Sequence, residues 1–278
     1  SKELIMKFIR WCKDHPILTF IILTILWSFP IWSLLFFFIK PGGLLKNPPP
    51  ISYLFVTLGG FGPSISGFLT TRLIYGKEGV QKLWGRFRNG NVGKMWFAML
   101  IIPFVTALTP LIRWIAGYSV DVKTMLGLIG PGIGLGLTAG LMEEYGWRGF
   151  LLPHLMKKYS PFTATLFTGL IWGGLWHGYA DIFGLGGRGL TTLILIILLG
   201  PILLTAWSII MTWAFESTKT NLLMSYLMHA SLSSSALIFG QTYSTTIEEI
   251  SWTAISTGLA VLAALIIWLI RKPVKLNN

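Results

Sequence analysis

The chain has 278 residues, of which 53% are hydrophobic and only 12% are charged. Soluble domains carry roughly 25% charged residues, so this composition excludes an ordinary soluble domain and indicates a polytopic membrane protein. The net charge of +12 lies in predicted loops and tails, where positive charge orients membrane proteins, so it does not indicate a nucleic-acid partner.

The apolar segments predict an all-α fold, a single membrane domain over residues 1–278 with about eight transmembrane helices. Residues 1–15 alternate basic and apolar side chains at helical spacing, which predicts an interfacial amphipathic helix. No cleavable signal peptide is evident, because the first long apolar run is long enough to span and lacks a small-residue cleavage site. The predicted spans are residues 17–39, 51–74, 95–117, 125–157, 161–180, 190–215, 221–240 and 250–270.

Several breaks and connections are predicted between or within these spans. Pro30 is expected to kink the first span, and Gly200–Pro201 to break the sixth. Residues 40–50, which include three consecutive prolines, and the glycine-rich residues 181–189 are predicted loops. Residues 76–94 form a second basic segment, for which lipid binding and a solvated loop carrying topology charges remain equal alternatives.

The distribution of lysine and arginine predicts the orientation in the membrane. With Arg113 and Arg148 left out as lying within spans, sixteen of the lysines and arginines fall at or beyond span ends on the side of the N-terminus, and four fall on the opposite side. Because cytoplasmic loops are enriched in these residues, both termini are predicted to be cytoplasmic.

A stripe of small residues runs along the fourth predicted span. Gly132, Gly136 and Gly140 recur every four residues, a spacing that lets another helix approach closely. The string GPGIGLG is not interpreted as a phosphate-binding loop, because no strand precedes it and no Gly-Lys-Ser/Thr ending follows.

The stripe leads into three charged residues within an apolar segment. A charge in hydrocarbon costs about 3 kcal/mol or more on insertion scales. Glu144 and Arg148 are four residues apart and share a helical face, which predicts a structural ion pair. Glu143 lies about 100° away around the helix. Since Arg148 cannot easily serve both carboxylates, Glu143 is a candidate functional residue.

Two histidines, His177 and His229, also lie in predicted spans. A single histidine in a membrane helix often forms only an interhelical hydrogen bond. Together with Glu143, however, the two histidines predict a site that activates water, with the carboxylate as general base. Ser233 lies one turn after His229 on the same face, where a hydroxyl can stabilise an oxyanion. Ordinary small-residue packing remains the alternative for this serine and its neighbours.

Three sequence blocks within residues 120–240 carry a family resemblance. The blocks EEYGWRGFLLPHL, GLIWGGLWH and TNLLMSYLMHASLS resemble, in order, the motifs of the CAAX prenyl endopeptidase and bacteriocin-processing family, prokaryotic branch. This family is also called the Abi family of glutamate intramembrane proteases. The resemblance implies a motif-bearing catalytic core over residues 120–240 and a multi-pass protein of a prokaryotic cell membrane. It also implies a peptidase that uses neither a metal nor a cofactor.

The resemblance also implies roles for individual residues. By position, Glu143 and His177 activate water, and His229 with Ser233 forms the oxyanion hole. The implied catalytic set is therefore Glu143, His177, His229 and Ser233, and the implied supporting pair is Glu144 and Arg148.

Two departures from the family pattern stand out. The second motif usually has an aromatic residue four positions before its histidine; here Gly173 holds that position, and Trp172 lies five before. An inserted glycine absorbed by a π-bulge would explain this spacing. The third motif has Ser233 where Asn or Asp is usual, and a serine donor has a shorter reach.

The expected partners are membrane lipid and a peptide or lipidated protein substrate.

Three other functions remain open. A membrane scaffold or immunity protein would keep the fold without the chemistry. A metallopeptidase would use Glu143, His177 and His229 as zinc ligands, although no HExxH motif is present. A transporter would normally show an internal repeat, and none is apparent. The single Cys12 excludes an internal disulfide and a cysteine-based metal cluster.

Overall fold

A computed structural model describes residues 2–37, 49–88, 92–185, 189–240 and 245–271. Every regular element in these ranges is helical, which confirms the predicted all-α fold. The elements are α1 (Lys2–Asp14), α2 (Pro16–Ser33), a 3₁₀ turn (Leu34–Phe37), α3 (Pro50–Gly60), α4 (Gly62–Arg88), a 3₁₀ segment (Gly93–Leu100), α5 (Ile101–Ile115), α6 (Val122–Gly127), α7 (Ile129–Gly146), the π-helix π1 (Trp147–Leu151), α8 (Leu152–Met156), α9 (Pro161–Leu170), the π-helix π2 (Ile171–His177), α10 (Gly178–Leu185), α11 (Leu190–Ser217), α12 (Leu222–Phe239) and α13 (Thr246–Ile270).

Six of the described helical segments are long and apolar enough to cross a membrane. They are Pro16–Ser33, Pro50–Arg88, Gly93–Ile115, Leu190–Ser217, Leu222–Phe239 and Thr246–Ile270. Two further helical stretches, α6 to α8 and α9 to α10, account for the rest of the eight predicted spans. Glycines and two glutamates make α7 less apolar, and π2 interrupts the other stretch. The two stretches that are not among the six apolar segments are therefore the ones that carry Glu143 and His177.

The outer surface of the bundle is apolar. On α13, Leu262, Leu265 and Leu269 are 55%, 54% and 80% exposed. On α1, Leu4 and Ile5 are exposed in the same way, beside the basic residues of that helix. Exposed apolar surface of this extent would be unfavourable in water and is typical of helices that contact lipid.

Several predicted boundaries are wrong. The sixth span is not broken at Gly200–Pro201, because α11 continues through Pro201 without interruption; neighbouring helices in a membrane bundle make such a proline tolerable. The loop predicted from residue 181 begins too early, since α10 extends to residue 185. The basic segment from residue 76 continues α4, which bends at Gly76 with φ of 68°. The predicted loop at residues 40–50 lies almost wholly outside the described residues.

The glycine stripe packs α7 against α12. A Cβ on Gly132 would lie 2.8 Å from Cγ1 of Ile238, and one on Gly140 would lie 2.7 Å from Cδ2 of Tyr226. At Gly136 a Cβ would overlap the carbonyl oxygen of Ala230. The stripe therefore lets the two helices approach in the way its spacing predicts. This close approach brings the C-terminal end of α7 against the part of α12 that carries His229.

We expect Gly136→Ala to destabilise the bundle, because the new methyl group meets backbone atoms of α12 that cannot move aside. Overpacking of this kind costs about 1–3 kcal/mol. Gly134→Ala is the matched control, since no atom lies within 4 Å of a Cβ there and alanine favours the helix. Thermal unfolding of the detergent-purified variants measures the difference. Equal midpoints for the two variants would contradict the close contact at Gly136.

Candidate active site

Glu143 is held by two tryptophans. It lies in the last turn of α7 and is only 4% exposed. Its Oε2 accepts a hydrogen bond of 3.0 Å from Nε1 of Trp147 and one of 2.7 Å from Nε1 of Trp172. No lysine or arginine pairs with this carboxylate in the described part of the chain. The prediction that Arg148 serves only one of the two glutamates agrees with the structure, but both tryptophan donors were missed.

Glu144 forms the predicted pair with Arg148 and a second contact that was not predicted. Its Oε1 accepts a hydrogen bond of 2.9 Å from Nη1 of Arg148, and Nδ1 of His229 lies 2.6 Å from the same oxygen. Nη2 of Arg148 donates to Oγ of Ser208 at 3.1 Å, which ties the pair to α11. Because a carboxylate only accepts, Nδ1 of His229 carries a proton and Nε2 points away from Glu144.

The second motif adopts the π-helical conformation that the inserted glycine predicts. The segment π2 contains Trp172, Gly173 and His177. A π-helix has a wider turn than an α-helix, so residues five apart come onto nearly the same side. Trp172 accordingly reaches Glu143, and its ring centroid lies 5.6 Å from that of His177. The shifted aromatic residue therefore still contacts the site.

Glu143, His177 and His229 come together from α7, π2 and α12. Nε2 of His177 lies 4.0 Å from Oε2 of Glu143, and Nε2 of His229 lies 3.6 Å from Oε1. Both distances are too long for direct hydrogen bonds, but a bridging water can join groups at such separations. Within the described ranges, no three His, Cys, Asp or Glu side chains are arranged to hold a metal ion.

A cavity of about 400 Å³ adjoins these residues. Trp172, His177, His229 and Ser233 line one part of it. The wall from α11 is apolar, whereas α5 and α13 contribute mainly hydroxyl-bearing side chains. Glu143 is not among the lining residues, although its carboxylate lies within 4.0 Å of both imidazoles. The histidines and Ser233 therefore form the cavity wall, and Glu143 contacts the site through the imidazoles rather than through the cavity surface. Among the remaining lining residues are Thr106, Thr109, Leu203, Leu204, Trp207, Leu232, Ala236, Phe239, Trp252, Thr253 and Ser256.

The serines after His229 have different environments. Ser231 and Ser234 donate hydrogen bonds to carbonyl oxygens of their own helix, at Met228 and Ala230 respectively. Simple helix packing, the alternative considered above, therefore accounts for these two. Ser233 differs because it lines the cavity.

Asp181 is a further residue beside the site that the sequence reasoning missed. Oδ1 of Asp181 lies 3.9 Å from Nδ1 of His177, on the side of the ring opposite Glu143. The sequence predicts a loop at Asp181, whereas this residue lies in α10, four residues after the histidine. The i, i+4 spacing of His177 and Asp181 was a visible indication that the two share a helical face.

Residues 125–235 match the model of the family described as type II CAAX prenyl endopeptidase, Rce1-like. No curated protein matches the chain. The family match confirms the resemblance carried by the three sequence blocks. Together with the six apolar helices, it supports an integral multi-pass membrane protein that is similar, over residues 125–235, to CAAX-type endopeptidases.

Proposed function

We propose, from the protease family that residues 125–235 match, that this chain is an intramembrane endopeptidase using Glu143 to activate water. The observation that carries the proposal is the convergence of Glu143, His177 and His229 beside one cavity at distances that a water can bridge. The reaction is hydrolysis of a peptide bond of a lipidated or membrane-associated peptide or protein, without a bound metal.

Water activation is assigned to Glu143 and His177. A water held between Nε2 of His177 and the Glu143 carboxylate gives one proton to Oε1, the oxygen to which neither tryptophan donates, as its own oxygen attacks the peptide carbonyl. The two tryptophan donors hold Oε2 in place, which reduces the reorganisation needed at the moment of attack. The proton held by Glu143 then passes to the leaving amine, so the carboxylate is regenerated.

Stabilisation of the oxyanion is assigned to His229 and Ser233. A proton on Nε2 of His229 and the hydroxyl of Ser233 both face the region where the carbonyl oxygen develops negative charge. Nδ1 of His229 contacts Glu144 at 2.6 Å, and this contact orients the ring so that Nε2 is the nitrogen available to the oxyanion. Arg148 holds Glu144 in that position, which is why the pair is given a supporting role.

Asp181 is assigned a positioning role for His177. Its carboxylate lies 3.9 Å from Nδ1 of the ring, a separation that a water can bridge. A proton on Nδ1 would face this anion and leave Nε2 to accept from the attacking water. An ionised carboxylate on a catalytic imidazole fixes both its tautomer and its orientation.

Asp181→Asn is therefore expected to lower kcat by about tenfold or more, because the amide can hold the wrong tautomer of His177. KM should change little, since the defect concerns only the transition state. Asp121→Asn is the matched control: Asp121 caps α6 away from the site, and asparagine caps a helix equally well. A loss carried mainly by KM, or an equal loss in the control, would remove Asp181 from the mechanism.

The direct test is cleavage of membrane-anchored peptides by the purified protein in a bilayer, with products identified by mass spectrometry. Comparing the cleavage of prenylated C-terminal peptides with that of their unlipidated counterparts shows whether the substrate must carry a lipid. Metal analysis of the active preparation distinguishes the proposed reaction from zinc-dependent hydrolysis by the same three side chains. A folded protein that binds these peptides but yields no product would favour the alternative, a membrane scaffold or immunity protein.

A further inference from the structure

Two cavities meet around the C-terminal half of α4. One, of about 1070 Å³, lies between α4 and the turn that joins α11 to α12. The other, of about 450 Å³, lies between α4 and the segment from π1 to α8. Glu78, Lys82 and Arg86 line both cavities. We refer to the two adjoining cavities as the basic cleft.

The basic cleft carries an excess of positive charge. Lys82, Arg86, Lys157 and Lys219 are among its lining residues, whereas Glu78 is the only carboxylate among the residues that line either cavity. None of these five side chains forms an ion pair within 4.0 Å in the described part of the chain. Four cations against one carboxylate therefore leave the cleft with an excess of positive charge, and no ion pair among these residues reduces it.

Arg86 is fixed in the wall of the cleft by neutral acceptors. Nη1 donates to the carbonyl oxygen of Gly149 at 2.9 Å, and Nη2 donates to that of Thr220 at 3.2 Å. Its guanidinium lies 5.5 Å from the ring centroid of Phe215. A guanidinium has five N–H donors, and two carbonyls leave its full charge uncompensated. A partly buried cation is normally paired, so this arrangement is suited to an external anion.

The backbone turn opposite Arg86 is also specifically shaped. Lys219 and Thr220 adopt φ angles of 55° and 61°, which are uncommon for residues other than glycine. This conformation ends α11 and directs the carbonyl oxygen of Thr220 towards Arg86. It also places the exposed Lys219 at the larger of the two cavities, which Lys82 lines as well. The turn therefore adds its own cation to the cavity that Lys82 and Arg86 of α4 line.

We propose that the basic cleft binds the phosphate of an anionic phospholipid headgroup. The cleft lies at the ends of two candidate membrane-spanning segments, α4 and α11, which is the level at which headgroups are found. Basic pockets between transmembrane helices bind anionic headgroups, and an arginine presents several donors to phosphate oxygens. This site is separate from the catalytic cavity and does not depend on the proposed protease activity.

The experiment is native mass spectrometry of the detergent-purified protein titrated with phosphatidylglycerol or with phosphatidylcholine. Binding should favour phosphatidylglycerol. Lys82→Ala and Lys219→Ala should each weaken it about fivefold, and the double variant about 25-fold, because a basic residue near an anionic lipid contributes about 1 kcal/mol. Arg86 is left unchanged, since it also holds two backbone segments. Lys77→Ala is the matched control: Lys77 is exposed on the same helix and lines neither cavity.

Three results would overturn the proposal. Equal binding of the two lipids would show that headgroup charge is not recognised. Equal weakening by Lys77→Ala would show that binding follows overall charge rather than the cleft. Displacement of phosphatidylglycerol by inorganic phosphate at the same concentration would assign the cleft to a free anion instead of a lipid.

Discussion

Replacing Glu143 with glutamine is expected to lower the rate of peptide cleavage by at least about a hundredfold, and up to about 10⁴-fold, since general-base catalysis contributes in this range. Glutamine has the shape of glutamate, and its carbonyl oxygen can still accept from Trp147 and Trp172. It cannot take a proton from water. The variant should therefore fold and bind substrate with an almost unchanged KM, while kcat falls.

Glu216→Gln is the matched control for this experiment. Glu216 is also buried, and its Oε2 accepts from Nη1 of Arg271 at 3.2 Å, but it does not line the catalytic cavity. The same chemical change there should leave kcat near the wild-type value. Full cleavage by the Glu143 variant would contradict the protease mechanism. If the wild-type protein cleaves and only the Glu143 substitution abolishes cleavage, the scaffold alternative is contradicted.

The parts of the structure that depend on regular helical spacing were predictable from the sequence. The four-residue recurrence of glycine at Gly132, Gly136 and Gly140 predicts a close helix contact, and α12 makes that contact. The spacing of Glu144 and Arg148 predicts an ion pair, and the pair is present at 2.9 Å. Such features require only the geometry of a single helix, so no knowledge of the partner helix was needed.

The parts that depend on the partner helix could not be predicted in the same way. Trp172 donates to Glu143 across 29 residues of sequence, and His229 contacts Glu144 across 85. Neither pairing follows from spacing within one segment. The π-helix at π2 was predictable because an inserted glycine disturbs a family motif, but no such disturbance marks π1. The end of α10 was misjudged because its glycines resemble a loop, which hid the relation between His177 and Asp181.

Substitution of Ser233 is expected to have the second large effect on catalysis. The family usually has Asn or Asp at this position. If the serine hydroxyl stabilises the oxyanion, Ser233→Ala should lower kcat by about 100-fold to 1000-fold, the usual cost of losing one such donor. Ser231→Ala is the matched control on the same helix, because the hydroxyl of Ser231 donates to the carbonyl oxygen of Met228 and not to the site. Cleavage kinetics on the two variants measure the difference.

Ser233→Asn then separates the donor from the residue type. The longer amide restores the family pattern, and the cavity of about 400 Å³ beside Ser233 gives the added atoms room. We expect this variant to retain or raise kcat, because an amide N–H reaches further than a hydroxyl. Wild-type kinetics in Ser233→Ala would exclude the hydroxyl as a donor and leave His229 to stabilise the oxyanion alone. A severe loss in both Ser233 variants would instead indicate that the cavity wall requires a side chain of serine's size.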